Sequence, residues 1–435
     1  MANLREIWRV LHHRDFRYLW LAQSTSVIGD KLVLVALALF VIEHTGSTTD
    51  LGLVLAAQSL PLVTFLLLGG VWADRLPRHR VMFATDLLRF TLHGLLAALI
   101  FSGTASIWRV VVIEVLFGSA EAFFRPAANG LLPQTVPEPD IQQATAITGI
   151  SSNIAEFAGP ALATALVLGV GAGWAFALDA TTFALSAGFL TRVRPRERTA
   201  TAPAGAPGEA GAKRASVWRE IREGAHEVRS RAWVWATLAA FCAALFCGLA
   251  PWFVLGGVVA RQQYGHIAVY GIVEAMIGLG TIAGSLVGVG WRPRHPMRFA
   301  MLAILVWPLA AILYATGVTL FVVIPATILA GVGIALFDVW WLTALAERIP
   351  TDALSRVTSY DWMVSGGLLP VGYLLAGPLG KSLGSVNVLI AGSAIAFVAL
   401  ALGLLPRETR MLERLGSGPV PPRGDEQLWS LQHRS

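Results

Sequence analysis

Apolar residues recur along the chain in twelve stretches of roughly twenty, interrupted by short polar or Gly- and Pro-containing breaks. The stretches lie near 17–42, 51–73, 81–102, 107–126, 142–168, 173–191, 232–257, 267–290, 298–316, 319–346, 355–379 and 386–405. A run of about twenty apolar residues makes a helix long enough to cross the hydrocarbon core of a bilayer. Backbone groups in lipid must bond within their own segment, which a helix does. The pattern predicts an all-α integral membrane protein with twelve transmembrane helices. The first run is too long for a cleavable leader, and the segment before it, LREIWRVLHHRDFRYLW, is Arg-rich and amphipathic.

Composition agrees: 55% of residues are hydrophobic and 14% charged, where soluble domains carry about a quarter charged residues. Mean hydropathy is +0.63. The net charge of +6 would suit nucleic acid, but its placement argues against that partner. If both termini are cytoplasmic, Arg5, Arg9, Arg14, Arg75, Arg78, Arg80, the cluster from Arg192 to Arg231, Arg292, Arg294, Arg298, Arg348 and Arg356 all fall inside. Only Arg109, Arg261 and Lys381 fall outside. This excess of inner Lys and Arg is what orients a multi-pass protein, so the charge reports topology in a cell membrane. Cys242 and Cys247 share one apolar run, FCAALFC, and read as small core residues. No metal-ligand spacing, catalytic triad or cofactor motif stands out, so no enzyme and no cofactor are expected. GPLGKS (377–382) resembles the end of a phosphate-binding loop, but Leu375 occupies the place of the first glycine.

The chain divides into 1–191, a linker 192–231, 232–405 and a tail 406–435. The linker stretch ERTATAPAGAPGEAGAKRAS has a disordered composition. The following VWREIREGAHEV reads either as a helix on the membrane interface or as a solvated linker helix. The two long parts echo one another. LGLVLAAQSL (51–60) matches YGIVEAMIGL (270–279) at an offset of 219, which also carries Gly69 onto Gly288. TVPEPDIQQAT (135–145) matches RIPTDALSRVT (348–358). Duplication at half length predicts two six-helix bundles related by a pseudo-two-fold axis, an arrangement suited to rocking about a shared cleft.

The loop GGVWADRLPRHR, with Gly70, Asp74, Arg75, Arg78 and Arg80, resembles the G-x-x-x-D-R-x-x-R-[RK] motif of the major facilitator superfamily, with His79 altering the final basic pair. In that family the motif latches the cytoplasmic helix ends, and a short Asp–Arg network is strong enough to hold and weak enough to release. The second-half counterpart, GVGWRPRHPMR, keeps Arg292 and Arg294 but has no Asp. FRYLWLAQSTSVIGD, AEAFFRPAANGLLPQTVP and EFAGPALATAL look like the branch of macrolide efflux pumps and the enterobactin exporter. Gly159-Pro160 is similar to the superfamily's antiporter motif, with Ala163 where a second glycine is usual, and Gly377-Pro378 echoes it; both are expected hinges. The family's first, fourth, seventh and tenth helices line its cavity, which would place Gln23, Ser26, Lys31, Trp252, Phe253, Phe337, Asp338 and Trp341 near substrate.

Ionisable groups inside the membrane cost several kcal/mol and rarely face lipid. Asp30 lies near the middle of the first predicted helix with Gln23 and Ser26 on its face, while Lys31 is turned about 100° away. Asp30 reads as a proton-coupling site or as a structural tie between helices. In the fourth predicted helix Glu114, Gly118, Glu121 and Arg125 share a face. Glu121 and Arg125 make an i, i+4 pair that could join the latch, and the deeper Glu114 is a second coupling candidate. Asp86 and Arg89 satisfy each other by spacing; Asn153, Glu156, Asp179 and Glu274 read as packing bonds or cavity groups.

The resulting expectation is a monomeric secondary transporter of the bacterial inner membrane. It would export drugs or amphipathic organic compounds, multidrug-resistance fashion, by antiport with protons. Export of siderophores, lipids or other natural products, proton-linked uptake, and a non-transporting sensor are the alternatives.

Overall fold

The computed structural model describes residues 9–195, 226–349, 357–358, 361 and 366–414, with only the backbone described for 67–75 and 289. Its first six long helices are α1 (Arg14–Thr45), α2 (Thr48–Arg75), α3 (Arg78–Phe101), α4 (Ile107–Leu131), α5 (Ile141–Gly169) and α6 (Ala172–Leu190). The second six are α7 (Ala232–Tyr264), α8 (Ala268–Gly290), α9 (Pro296–Ala315), α10 (Leu320–Arg348), α11 (Leu369–Leu383) and α12 (Ser385–Leu402), followed by a short α13 (Arg407–Met411). The fold is all-α, and no strand occurs among the described residues. Part of the span expected at 355–379, residues 355–356, 359–360 and 362–365, lies outside them; α11 is described from Leu369.

Breaks in the helices follow proline chemistry. Proline cannot donate to the carbonyl four residues earlier and crowds it. The π-helical stretch Leu245–Leu249 within α7 precedes Pro251, and α9 is interrupted at Leu305, just before Pro308. Glycines with positive φ, a backbone state that costs glycine little, close turns at Gly46, Gly103, Gly171, Gly265, Gly317 and Gly384. Each lies at the same face of the bundle, opposite the face that carries the termini. Short glycine turns on that face are thus a property of both halves.

The helix pairings repeat. α1 packs on α5 and α6, α2 on α4, and α3 on α6; in the second half α7 packs on α11 and α12, α8 on α10, and α9 on α12. Adding six to each number converts one set into the other. The main contacts between the halves are α5 with α8 and α2 with α11, which also exchange under the same operation, and α7 touches α1 and α2 more lightly. Small residues let the backbones meet in the absence of a hydrophobic drive between helices in lipid. Gly280 of α8 and Gly331 of α10 face each other so closely that a methyl group on either would overlap the opposite backbone.

The termini are tied to the loops at their face. Arg9 and His13 bond Asp140, between α4 and α5, at 2.6 and 2.9 Å. The His13 ring, with Arg9, holds the Asp140 carboxyl below its usual range. At the other end Arg294, in the α8–α9 loop, bonds Glu413 at 2.9 Å, and Arg414 bonds Glu347 at 3.2 Å. The second-half loop that lacks the Asp of the first therefore takes an acid from the tail, which the loop's own sequence does not reveal. Cys242 and Cys247 are free and half-buried.

Candidate functional site

The ionisable groups of the first half form a contiguous assembly. On α3, Asp86, Arg89 and His93 follow spacings of three and four, which stack them on one face. Arg89 is fully buried and donates to Asp86 at 2.6 Å, whose other oxygen accepts from Ser186 of α6 at 2.5 Å. Its second arm reaches Asp30 of α1 at 3.5 Å, a loose bond. The guanidinium also lies 4.1 Å from the ring centre of Phe124 and 4.4 Å from that of Phe183, whose faces favour a cation. Asp30 keeps 27% of its side chain exposed, whereas Arg89 and Asp86 keep none. Asp30 is the open end of a dry network.

Lys31 turns the other way and forms an ion pair with Glu156 of α5. The pair stays partly open, at 33% and 42% exposure. Gly159 of α5 sits directly against this point of α1: a methyl group there would meet Lys31 Cβ at 2.5 Å and the Lys31 carbonyl carbon at 2.7 Å. Glu156 stands at the seam between the halves, since a methyl group on Gly278 of α8 would lie 2.3 Å from its carbonyl oxygen. At the other seam Gly377 of α11 admits the backbone of Thr48 and Thr49, and Thr48 donates to the Gly377 carbonyl at 3.1 Å. Both glycines expected as hinges are therefore points of close helix approach. Pro160 is buried beside Gly159, and Pro378 is exposed.

In the second half Glu274 of α8 accepts from the Trp252 indole at 2.6 Å, and Glu156 lies in electrostatic range of both Glu274 and Asp338. Asp338 is exposed, but Phe337 and Trp341, expected beside it in the cavity, are both buried. Phe337 is buried and stacks on Phe241 at 4.9 Å; Trp341 packs edge-on against Trp233 and bonds Asp361 at 2.9 Å. Neighbouring positions on a helix point in different directions, and packing claimed the aromatic ones. Trp252 is buried too, while Phe253 is half-buried. The expected stripe Gln23–Ser26–Asp30 is likewise broken: Ser26 is sealed from solvent, and Gln23 and Asp30 remain partly open.

Glu121 bonds Arg125 at 2.9 Å, and both lie in electrostatic range of Asp30, which places the pair beside the α1 carboxylate. Arg78 donates to the Gly130 carbonyl at 2.6 Å. The side chains of Gly70, Asp74 and Arg75 lie outside the described residues. Arg109 bonds the Thr104 carbonyl at 2.6 Å near its helix end.

Glu114, which has no partner in its own helix, meets one from α3. His93 Nε2 is 3.6 Å from Glu114 Oε1, and His93 Nδ1 bonds Asp179 of α6. All three side chains are fully buried. Sequence reasoning passed over His93, although its stacking with Asp86 and Arg89 on one helical face was readable.

A family model described as Major Facilitator Superfamily matches residues 19–370. Macrolide efflux protein A of Streptococcus pyogenes is 21% identical over 405 residues, covering 92% of this chain and 97% of that one. The putative bacilysin exporter BacE of Bacillus subtilis is 24% identical, covering 92% and 94%. Among solved structures, the nucleoside transporter NupG matches with a TM-score of 0.70 at 12% identity, covering 89% of this chain and 98% of that chain.

Proposed function

The chain belongs to the Major Facilitator Superfamily, is a multi-pass membrane transporter and not an enzyme, and from that premise we propose that it exports organic molecules by exchange with protons. The observation that carries the reading is Asp30: a mid-membrane carboxylate, partly exposed on one side and loosely held by a buried arginine on the other. Such a group gains or loses a proton with a large change in its fit to the surroundings. Protonation releases Arg89 to Asp86 alone, and deprotonation restores the pull between α1 and α3. That change biases how residues 1–191 and 232–405 tilt about the glycine seams. The membrane potential adds about 2.3 kcal/mol per charge per 100 mV to any step that moves the charge across.

The acids Asp30, Glu156, Glu274 and Asp338, none of them fully sealed, outnumber Lys31, which Glu156 already holds. This balance supports a cationic, amphipathic substrate over an anionic siderophore, and the efflux relatives support export over uptake. The proposed setting is a bacterial inner membrane with both termini cytoplasmic and one chain as the working unit.

The test is transport of cationic dyes, macrolides and siderophores in proteoliposomes with an imposed pH gradient. The wild type concentrates cationic dyes against their gradient when protons are supplied on the opposite side. Asp30→Asn inserts normally and loses the pH-driven component; gradient-driven accumulation equal to wild type in that variant would remove Asp30 from the mechanism.

A further inference from the structure

Behind Asp30 lies a cluster that the exchange described above does not use. The His93 imidazole stacks on Phe117 with ring centres 4.0 Å apart and planes 1° from parallel. The rings of Phe176 and Phe183 close its edges. Its Nδ1 bonds Asp179 Oδ2, and its Nε2 points to Glu114 Oε1 at 3.6 Å. Both Glu114 oxygens, His93 Nε2 and Asp179 Oδ1 are buried without a protein hydrogen-bond partner. Buried polar atoms are nearly always satisfied, so four orphans in one pocket are unusual.

Charge balance sharpens the point. The dry interior holds the carboxyls Asp86, Glu114 and Asp179 and the bases Arg89 and His93, with Asp30 at its mouth. The other ionisable groups facing it come as matched pairs: Glu121 with Arg125 on α4, and Lys31 of α1 with Glu156 of α5. Even with the imidazole protonated, four carboxylates face two cations. An uncompensated buried charge is strongly unfavourable, and such groups take up protons instead. Neutrality requires two more protons, and no more than one of them fits on Asp30.

We propose that His93, Asp179 and Glu114 form a second proton-holding centre, loaded and emptied through Asp30, so that the transporter handles two exchangeable carboxyl protons. The connection is geometric. Asp179 presses on the α1 backbone one residue before Asp30: a methyl group on Gly29 would sit 2.2 Å from Asp179 Oδ1. Asp30 is the partly open group of the set, and the three cluster side chains have no exposure. A proton reaching the cluster passes from water to Asp30, then to Asp179, then to the imidazole or Glu114. The imidazole suits the middle position because it accepts at one nitrogen while donating from the other.

This inference rests on the proton-exchange reading, and infrared difference spectroscopy separates the two. The purified transporter in lipid is stepped from alkaline to acidic pH, and carboxylic-acid carbonyl bands are followed in light and heavy water. Two bands are expected in the wild type. Asp30→Asn loses one and slows the appearance of the other after a pH jump, since the sealed cluster loses its route. His93→Gln and Glu114→Gln keep the Asp30 band and lose or shift the second; the Glu114 variant, equal in shape, carries the test if the His93 variant does not fold. A single wild-type band that Asp30→Asn removes would overturn the second centre and leave exchange at Asp30 standing. No titrating band at all would overturn both, and a second band unmoved in both cluster variants would also overturn this proposal.

Discussion

The two halves share one set of helix pairings and almost nothing of their interior chemistry. Between α1, α3, α4 and α6 the first half buries Asp86, Arg89, His93, Glu114 and Asp179 completely. The second half instead buries large aromatic side chains around α7: Trp252 of α7, Tyr270 of α8 and Tyr314 of α9. Trp252 lies 5.0 Å from Tyr314 and 6.0 Å from Tyr270, ring centre to ring centre. Its polar tips are satisfied locally: Tyr314 donates to the Gly256 carbonyl at 2.7 Å, and Trp252 to Glu274. A duplicated scaffold thus separates two tasks. Packing is carried by small residues at equivalent seams, while buried charge is concentrated in the first half and buried aromatic bulk in the second.

The comparison breaks first at Arg89. Arg89→Leu leaves Asp86 buried without its cation, a loss of about 3–5 kcal/mol. Thermal unfolding in detergent should show that loss, against under about 1 kcal/mol for Glu274→Gln, whose amide still accepts from Trp252. Similar losses in both would erase the distinction between a charged and an aromatic half.

The seams should be equivalent where the interiors are not. Gly278→Leu and Gly377→Leu each force the halves apart at one contact and are expected to slow transport at least about tenfold, a barrier change near 1.4 kcal/mol. Initial rates in vesicles decide this, and a slow variant at one seam beside a normal one at the other would show that the halves do not rock symmetrically.

The N-terminal tie gives a smaller, pH-dependent effect. The Asp140 carboxyl is held below its usual range, so its bond to His13 and Arg9 stabilises the folded state fully above the unfolded value near pH 4. That stability is lost as pH falls through the lowered folded value. Asp140→Asn should therefore flatten the acid limb of a stability–pH profile and leave its neutral region parallel to wild type. The smallest effect belongs to the tail: Arg294 and Glu413 are both largely exposed, and Glu413→Ala is expected to cost less than about 1 kcal/mol.

Much of the charged site was legible in outline. Asp30 and Glu114 stood out because lipid tolerates few carboxylates, and the Asp86–Arg89 and Glu121–Arg125 pairs followed from helical spacing. His93 shares a helical face with Asp86 and Arg89, a pattern that was readable, but its own partners come from α4 and α6, which spacing within α3 does not reveal. Phe337 and Trp341 depart from their expected place in the cavity beside Asp338 for the complementary reason. Proximity in sequence brought Phe337 and Trp341 beside the acid, and packing against Phe241 and Trp233 took them away.

The sequence by itself determined how often the chain crosses the membrane, that it is duplicated, and where charge lies along it. Hydropathy, repeat offsets and spacing act within one segment and need no knowledge of neighbours. Only the tertiary structure decided which carboxylate stays partly exposed and which is sealed, and that Lys31 belongs to Glu156 while Arg89 bridges Asp86 and Asp30. Those pairings depend on which helix faces meet across distances that the order of residues does not encode.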